Sequence, residues 1–299
     1  MLTSSLENVR ARRLGLPNPR FWGTCLLAAL AACSVQSGEG SHDSGAGGNI
    51  AVMGSGGSHG DAPTIVIDGG ARPGTVHLVV PAYYEPGADW QKIIAAAPTV
   101  GMIIFNPSNG PGTATDPAYT SALAQAQAAG ILVLGYVATS YGQRPQADIM
   151  ADVNEYYDLY TPSGIYFAEG PMEADCTNLE TEYRQLTSLA LQRDSKAYLA
   201  IGTRFCPSFI EFSDLMVEFA EDWTTYQSYT PPSWMPANSP QRFCQFINSV
   251  PPEEASHALS MAVANGAGWV FTTDGAQPNP WGALPSYWDQ ELAAARALQ

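Results

Sequence analysis

Apolar positions along the chain follow two rhythms that alternate. Eight runs are short, apolar and rich in β-branched or aromatic residues: His77–Tyr84, Gly101–Asn106, Ile131–Val137, Gly164–Phe167, Ala197–Ile201, Leu215–Phe219, Arg242–Ile247 and Gly268–Thr272. Such runs predict buried strands. Between most of them the apolar residues recur every three or four positions. That spacing predicts amphipathic helices over Asp89–Ala97, Pro117–Ala129, Ala147–Leu159, Leu179–Arg193, Pro252–Asn265 and Tyr287–Leu298. Gly130 and Gly266 stand where helix C-caps would. The connections after the fifth and sixth runs are short or irregular. Eightfold alternation of strand and helix predicts a parallel (β/α)8 barrel of the TIM type. A doubly wound open sheet is the competing architecture, but no GxGxxG follows the first strand.

The N-terminal quarter lacks this pattern. Residues 1–32 carry a basic stretch (Arg10, Arg12, Arg13, Arg20) and then a short apolar run, Cys25 to Ala32. That run is too short to span a bilayer and predicts an export signal. It ends Leu30-Ala31-Ala32-Cys33, similar to a bacterial lipobox, which predicts lipidation at Cys33. An ordinary secretory signal is the alternative. The protein is therefore expected outside the cytoplasm, on the envelope or secreted, touching a membrane only through a lipid on Cys33. Residues 33–73 are rich in Gly and Ser and predict a flexible tether. His42 and His59 lie in it and read as solvated linker residues. Residues 74–299 have the length of one barrel domain.

The formal charge is −15. Removing a leader with four Arg and one Glu makes the remainder more acidic still. This excludes nucleic acid and adsorption to anionic lipid, and suits a neutral or cationic partner. Three cysteines fall in the domain, none in CxxC spacing, so no zinc site is expected. Cys176 and Cys206 follow successive predicted strands and are the preferred disulfide. Cys206–Cys244 is the alternative, and one thiol is left over in either case. A monomer is the default expectation.

A parallel barrel gathers the residues just past each strand onto one face. Here these are Tyr83, Tyr84 and Glu85; Asn106, Ser108 and Asn109; Tyr136, Thr139, Tyr141 and Arg144; and Glu169. They continue with Thr203 and Arg204, Glu221 and Asp222, Asn248, and Thr273 and Asp274. The set has no His-rich cluster and no phosphate loop, so no metal and no cofactor are expected. Aromatic rings and amides suit sugars, because rings stack on C–H faces and amides pair with hydroxyls. Trp281, past the eighth strand, could stack in the same way. Glu169 ends the apolar run from Gly164, where barrel enzymes keep catalytic groups.

Several stretches, in order, resemble the spherulin-4 family (spherulation-specific family 4). They are Pro81–Gly87 with Trp90, Asn106–Gly112, Gly135–Arg144, Gly164–Glu169, and Asn279–Trp281 with Leu284–Trp288. The resemblance implies a (β/α)8 glycoside hydrolase cleaving α-1,4-linked N-acetylgalactosamine in galactosaminogalactan, a cationic exopolysaccharide. The implied partner is an amino-sugar polysaccharide. The resemblance adds sugar contacts from Asn106 and Asn109 to those that the mouth composition suggests for Tyr83, Tyr84, Tyr136, Tyr141 and Trp281; Arg144 is a further substrate candidate whose first reading is a loop anchor. The family's strand-four motif resembles Gly-Ile-Phe-Phe-Asp-Glu; here Ala168 replaces the Asp and Glu169 remains. A family Phe-Glu after strand six aligns with Phe219-Ala220, with Glu221 one residue later. Glycoside hydrolysis needs two carboxyl groups flanking the bond. Glu169 is then the general acid/base, Glu221 the second carboxylate and Asp274 the reserve. The alternative is a carbohydrate-binding lipoprotein that kept the cleft and lost turnover.

Overall fold

The computed structural model describes residues 75–203 and 205–299. The leader, the tether, His42, His59, Cys33 and Arg204 lie outside the described residues. Each apolar run forms a strand: β1 His77–Ala82, β2 Val100–Phe105, β3 Leu132–Ala138, β4 Gly164–Ala168, β5 Tyr198–Gly202, β6 Leu215–Asp222, β7 Phe243–Asn248 and β8 Trp269–Thr272. They pair in sequence order, all parallel, and β1 closes on β8. The result is the expected (β/α)8 barrel. Nearly every strand residue is buried, between the barrel interior and the helical layer.

The helices are α1 Ala88–Ala95, α2 Pro117–Ala128, α3 Gln146–Leu159, α4 Cys176–Arg193, α5 Trp223–Tyr226, α6 Ala255–Ala264 and α7 Trp288–Ala297. Local chemistry sets several ends. Asp116 caps α2 by accepting from Ala118 N at 2.7 Å, with Pro117 in the first turn. Gly130 (φ 83°) and Gly266 (φ 91°) end α2 and α6 in left-handed backbone, as read from the sequence. After β5 there is only a 3-10 turn, Pro207–Glu211, and after β6 the single turn of α5 and two 3-10 turns, Met235–Ala237 and Pro240–Arg242. Among the described residues no helix is long and apolar enough to cross a membrane.

Register decides which side chains line the interior. Tyr136 pairs with Tyr166, and two residues on Ala138 pairs with Ala168. Phe246 pairs with Ala220 on one side and Phe271 on the other. The rings of Phe246 and Phe271 both meet Trp281 over the barrel, so this row faces inward. The neighbouring row faces the helices: Phe105 packs on Tyr119, Tyr156 and Tyr160. Strand β6 runs three residues further than the sequence pattern suggests. Its register shifts between Val217 and Phe219, a bulge at Glu218.

Cys176 and Cys206 form a disulfide, Cα atoms 5.3 Å apart, that ties the start of α4 to the loop after β5. Cys244 is a buried free thiol on β7.

Candidate functional site

The C-terminal mouth of the barrel carries the local strain of the molecule. Among the described residues, six non-glycine residues have positive φ: Asn109, Ser140, Tyr141, Glu169, Phe205 and Ser249. All six lie in loops just past a strand, on one end of the barrel. Such backbone costs about 1–3 kcal/mol per residue and concentrates at functional sites.

Glu169 is the centre of this end. Ala168 points inward, so simple alternation would send residue 169 outward. A φ of 54° turns the chain instead, and Glu169 Oε1 accepts from the inward Tyr136 hydroxyl at 3.3 Å. The turn is held from below. Thr139 Oγ1 lies 2.9 Å from the Ala168 carbonyl and 2.8 Å from the Glu169 carbonyl, and pairs with the Tyr183 hydroxyl. Tyr141 N donates to the Glu169 carbonyl at 2.6 Å.

Beneath Glu169 lies a layer of tyrosines. Tyr83 meets Tyr136 edge-on at 5.2 Å, and Tyr136 meets Tyr166 at 6.2 Å. Gly202 makes room for Tyr166: a Cβ there would stand 2.7 Å from its hydroxyl. Burial raises the phenols of Tyr83, Tyr136 and Tyr166 well above their ordinary range, and Glu169 adds to each shift. They are therefore neutral hydroxyls, each able to donate and accept. Tyr141 stands above, 49% exposed. Its phenol is pushed up by partial burial, then by Glu169 and by Glu221. Both carboxylates thus act on the same ring.

The remaining sequence candidates divide. Trp281 covers the opposite rim, half-buried over Phe246 and Phe271. Glu221 is half-buried within β6 rather than in a loop after it, on the row of Ile247 and not on the inward row of Phe246. Ala220 occupies that inward row and is exposed to the mouth. Asn106 spends its carbonyl on its own loop, accepting from Gly110 N at 2.7 Å, and Asn109 is exposed at the loop tip. Arg144 anchors rather than reaches inward. It pairs with Asp152 at 2.7 Å and donates to the Ala138 and Asp148 carbonyls.

Two candidates lie away from Glu169. Tyr84 follows the outward row toward α1, where burial and then Asp89 raise its phenol. Asp274 is exposed and accepts from Ser286 N at 3.1 Å, pinning the loop before α7. Asp222 is likewise occupied, capping α5 by accepting from Thr225 N at 2.9 Å. Sequence reasoning missed Tyr166. Tyr166 is visible as the second position of strand β4 on the inward row. Among the described residues no group of three His, Cys, Asp or Glu side chains converges as metal ligands would.

Residues 77–295 match the sequence profile of Spherulin4, spherulation-specific family 4. Spherulin-4 of Physarum polycephalum is 29% identical over 239 residues, 75% of this chain and 71% of that protein. Among solved structures, Aspergillus clavatus Sph3 in complex with GalNAc has a TM-score of 0.63 at 21% identity, covering 74% of this chain and 97% of that one. The PgaB (BpsB) glycoside hydrolase domain of Bordetella bronchiseptica has a TM-score of 0.46 at 11% identity, covering 76% and 98%.

Proposed function

The chain belongs to spherulation-specific family 4, and from that premise we propose that it is an extracytoplasmic, glycoside-hydrolase-like protein that holds an amino-sugar exopolysaccharide in its barrel mouth. One observation carries this reading. The two inward mouth positions where the family resemblance calls for carboxylates hold Ala168 and Ala220. Glu169 is left among neutral tyrosine hydroxyls. That arrangement retains hydrogen-bonding and stacking groups for a sugar and lacks the second carboxyl that would attack or activate water. The GalNAc bound by Sph3 supports an amino sugar as the ligand class.

A second reading is hydrolysis, favoured by Tyr141, whose phenol responds to both Glu169 and Glu221. Glu169 would then protonate the leaving oxygen while Glu221, at the rim, serves the other face.

Reducing-end release and polymer retention on an α-1,4-galactosamine polymer separate the two. The expected result is retention without release by the natural chain, and release gained in Ala168→Asp. Release by the natural chain that disappears in Glu169→Gln would establish the second reading. Loss of retention altogether would remove the carbohydrate site. The anchor at Cys33 is a separate part of the proposal. Cys33→Ala is expected to move the protein from the membrane fraction to the soluble fraction, and unchanged partitioning would refute it.

A further inference from the structure

Resting on the carbohydrate-site reading above, we propose that Thr139 and Tyr183 are a positioning pair that aims the Glu169 carboxylate at the barrel mouth. Both side chains are fully buried, so they act through the Glu169 backbone and not on a ligand.

Thr139 follows the last residue of β3, and Glu169 follows the last residue of β4. Regular pairing between these strands runs as far as Ala138 and Ala168. Thr139 carries the contact one residue further. Its N donates to the Ala168 carbonyl at 2.9 Å, and its Oγ1 lies 2.9 and 2.8 Å from the Ala168 and Glu169 carbonyls. The Thr139 carbonyl accepts from Gly142 N at 3.1 Å. That closes the turn in which Tyr141 N donates to the Glu169 carbonyl at 2.6 Å. A non-glycine residue stays in left-handed backbone only where its surroundings over-determine it. For Glu169, at φ 54°, these bonds are the surroundings.

Proton accounting gives the pair a direction. A threonine hydroxyl carries one hydrogen, and a carbonyl can only accept. Thr139 therefore donates to the carbonyls. If it donated to Tyr183 instead, its lone pairs would face two carbonyl oxygens with no hydrogen between. The Tyr183 hydroxyl is then the donor to Thr139 Oγ1. Burial holds the Tyr183 phenol above its ordinary range, so it keeps the proton that this bond uses. Tyr183 is placed in turn by α4, where its ring packs on Phe209 at 5.3 Å. Packing in the helical layer is thus carried through two hydroxyls to the backbone under one carboxylate. Valine has the shape of threonine and cannot do this. At position 139 it would strip the Glu169 carbonyl of one donor and leave the buried Tyr183 hydroxyl without its partner.

The test is calorimetric titration of the full chain and its variants with an α-1,4-linked galactosamine oligosaccharide of uniform length, beside crystal structures and melting temperatures of the same proteins. Thr139→Val is expected to weaken binding at least about tenfold, through the loss of two hydroxyl bonds. Tyr183→Phe removes one of them and should weaken it about fivefold. Thr139→Ser keeps the hydroxyl and should bind within about twofold of the natural chain. Tyr226→Phe is the control for stability alone. It removes an equally buried hydroxyl, bonded to Gln245 on β7, and should lower the melting temperature without changing affinity. In crystals of Thr139→Val, Glu169 should leave positive φ and lose its contact with Tyr136. Glu169 unmoved in those crystals overturns the pair. Binding by Thr139→Ser as weak as that of Thr139→Val overturns it as well, and so does an equal loss of affinity in Tyr226→Phe. If Thr139→Val does not fold, Tyr183→Phe decides: natural affinity there overturns the proposal. If the natural chain does not bind the oligosaccharide, the carbohydrate reading falls, and the position of Glu169 in the variant crystals still decides whether the pair sets it.

Discussion

Glu169 occupies a backbone conformation that glycine adopts more cheaply. The left-handed turn at an acidic residue is what brings its carboxylate back over Tyr136. Strain and recognition are then two consequences of one φ angle. Glu169→Gly should raise the melting temperature by a few degrees, for about 0.5–1 kcal/mol of relieved strain, while abolishing polymer retention. A melting temperature that drops would show that the side chain, not the turn, carries stability here. Tyr136→Phe tests the other end of the contact. Losing one hydroxyl hydrogen bond of roughly 1 kcal/mol should weaken oligosaccharide binding about fivefold with folding unchanged. Binding equal to the natural chain would mean that Tyr136 does not orient Glu169. At this scale the sequence showed which residues stand near the mouth. Ala168 and Ala220 were legible as missing carboxylates. The direction of Glu169 was not, because a positive φ at Glu leaves no mark in an apolar pattern.

The eight strands were legible because a barrel buries both faces of every strand, so each run is apolar throughout. Their neighbours were read less well wherever a strand departs from regular pairing. At β6 the bulge at Glu218 and the extension to Asp222 move Glu221 from an expected loop into the strand, on a row that does not face inward. A bulge is set by tertiary pairing, so the local sequence does not reveal it. The disulfide belongs to this scale as well. It joins the start of α4 to the loop after β5, and Thr203 Oγ1 adds a 3.0 Å bond to the Pro171 carbonyl between β4 and α4. Closing a segment of separation 30 should stabilise the fold by about 3–4 kcal/mol on a chain-entropy basis. Denaturant melts of the Cys176→Ser, Cys206→Ser double variant should show that loss. A midpoint within error of the natural chain would mean that the mouth is held by the barrel alone.

The last helix is fastened to the last strand of the barrel by a buried carboxyl in the seam between them. Glu291 of α7 is fully buried, and its Oε1 accepts from Thr272 N at 2.7 Å and Thr272 Oγ1 at 3.0 Å on β8. The same helix reaches the start of the barrel through Arg296 and the Thr99 hydroxyl. Burial raises the Glu291 carboxyl from 4.5 to about 8, against the opposing pull of the Thr272 bonds. Between these values the folded chain holds a proton that the unfolded chain has released. Folded protein therefore binds more protons, and stability must fall as pH rises from about 4.5 to about 8. The full effect is on the order of several kcal/mol, a large share of what a single domain possesses. Glu291→Gln keeps an acceptor for Thr272 and removes the titration. Urea melts at pH 5, 7 and 9 should show the natural chain losing stability across the series. The variant should lose less, and should exceed the natural chain most at pH 9. Parallel pH dependence in the two proteins would mean that Glu291 reaches water in the folded state and that the seam is not dry. A dry seam would make the barrel more stable under mildly acidic conditions than above neutrality.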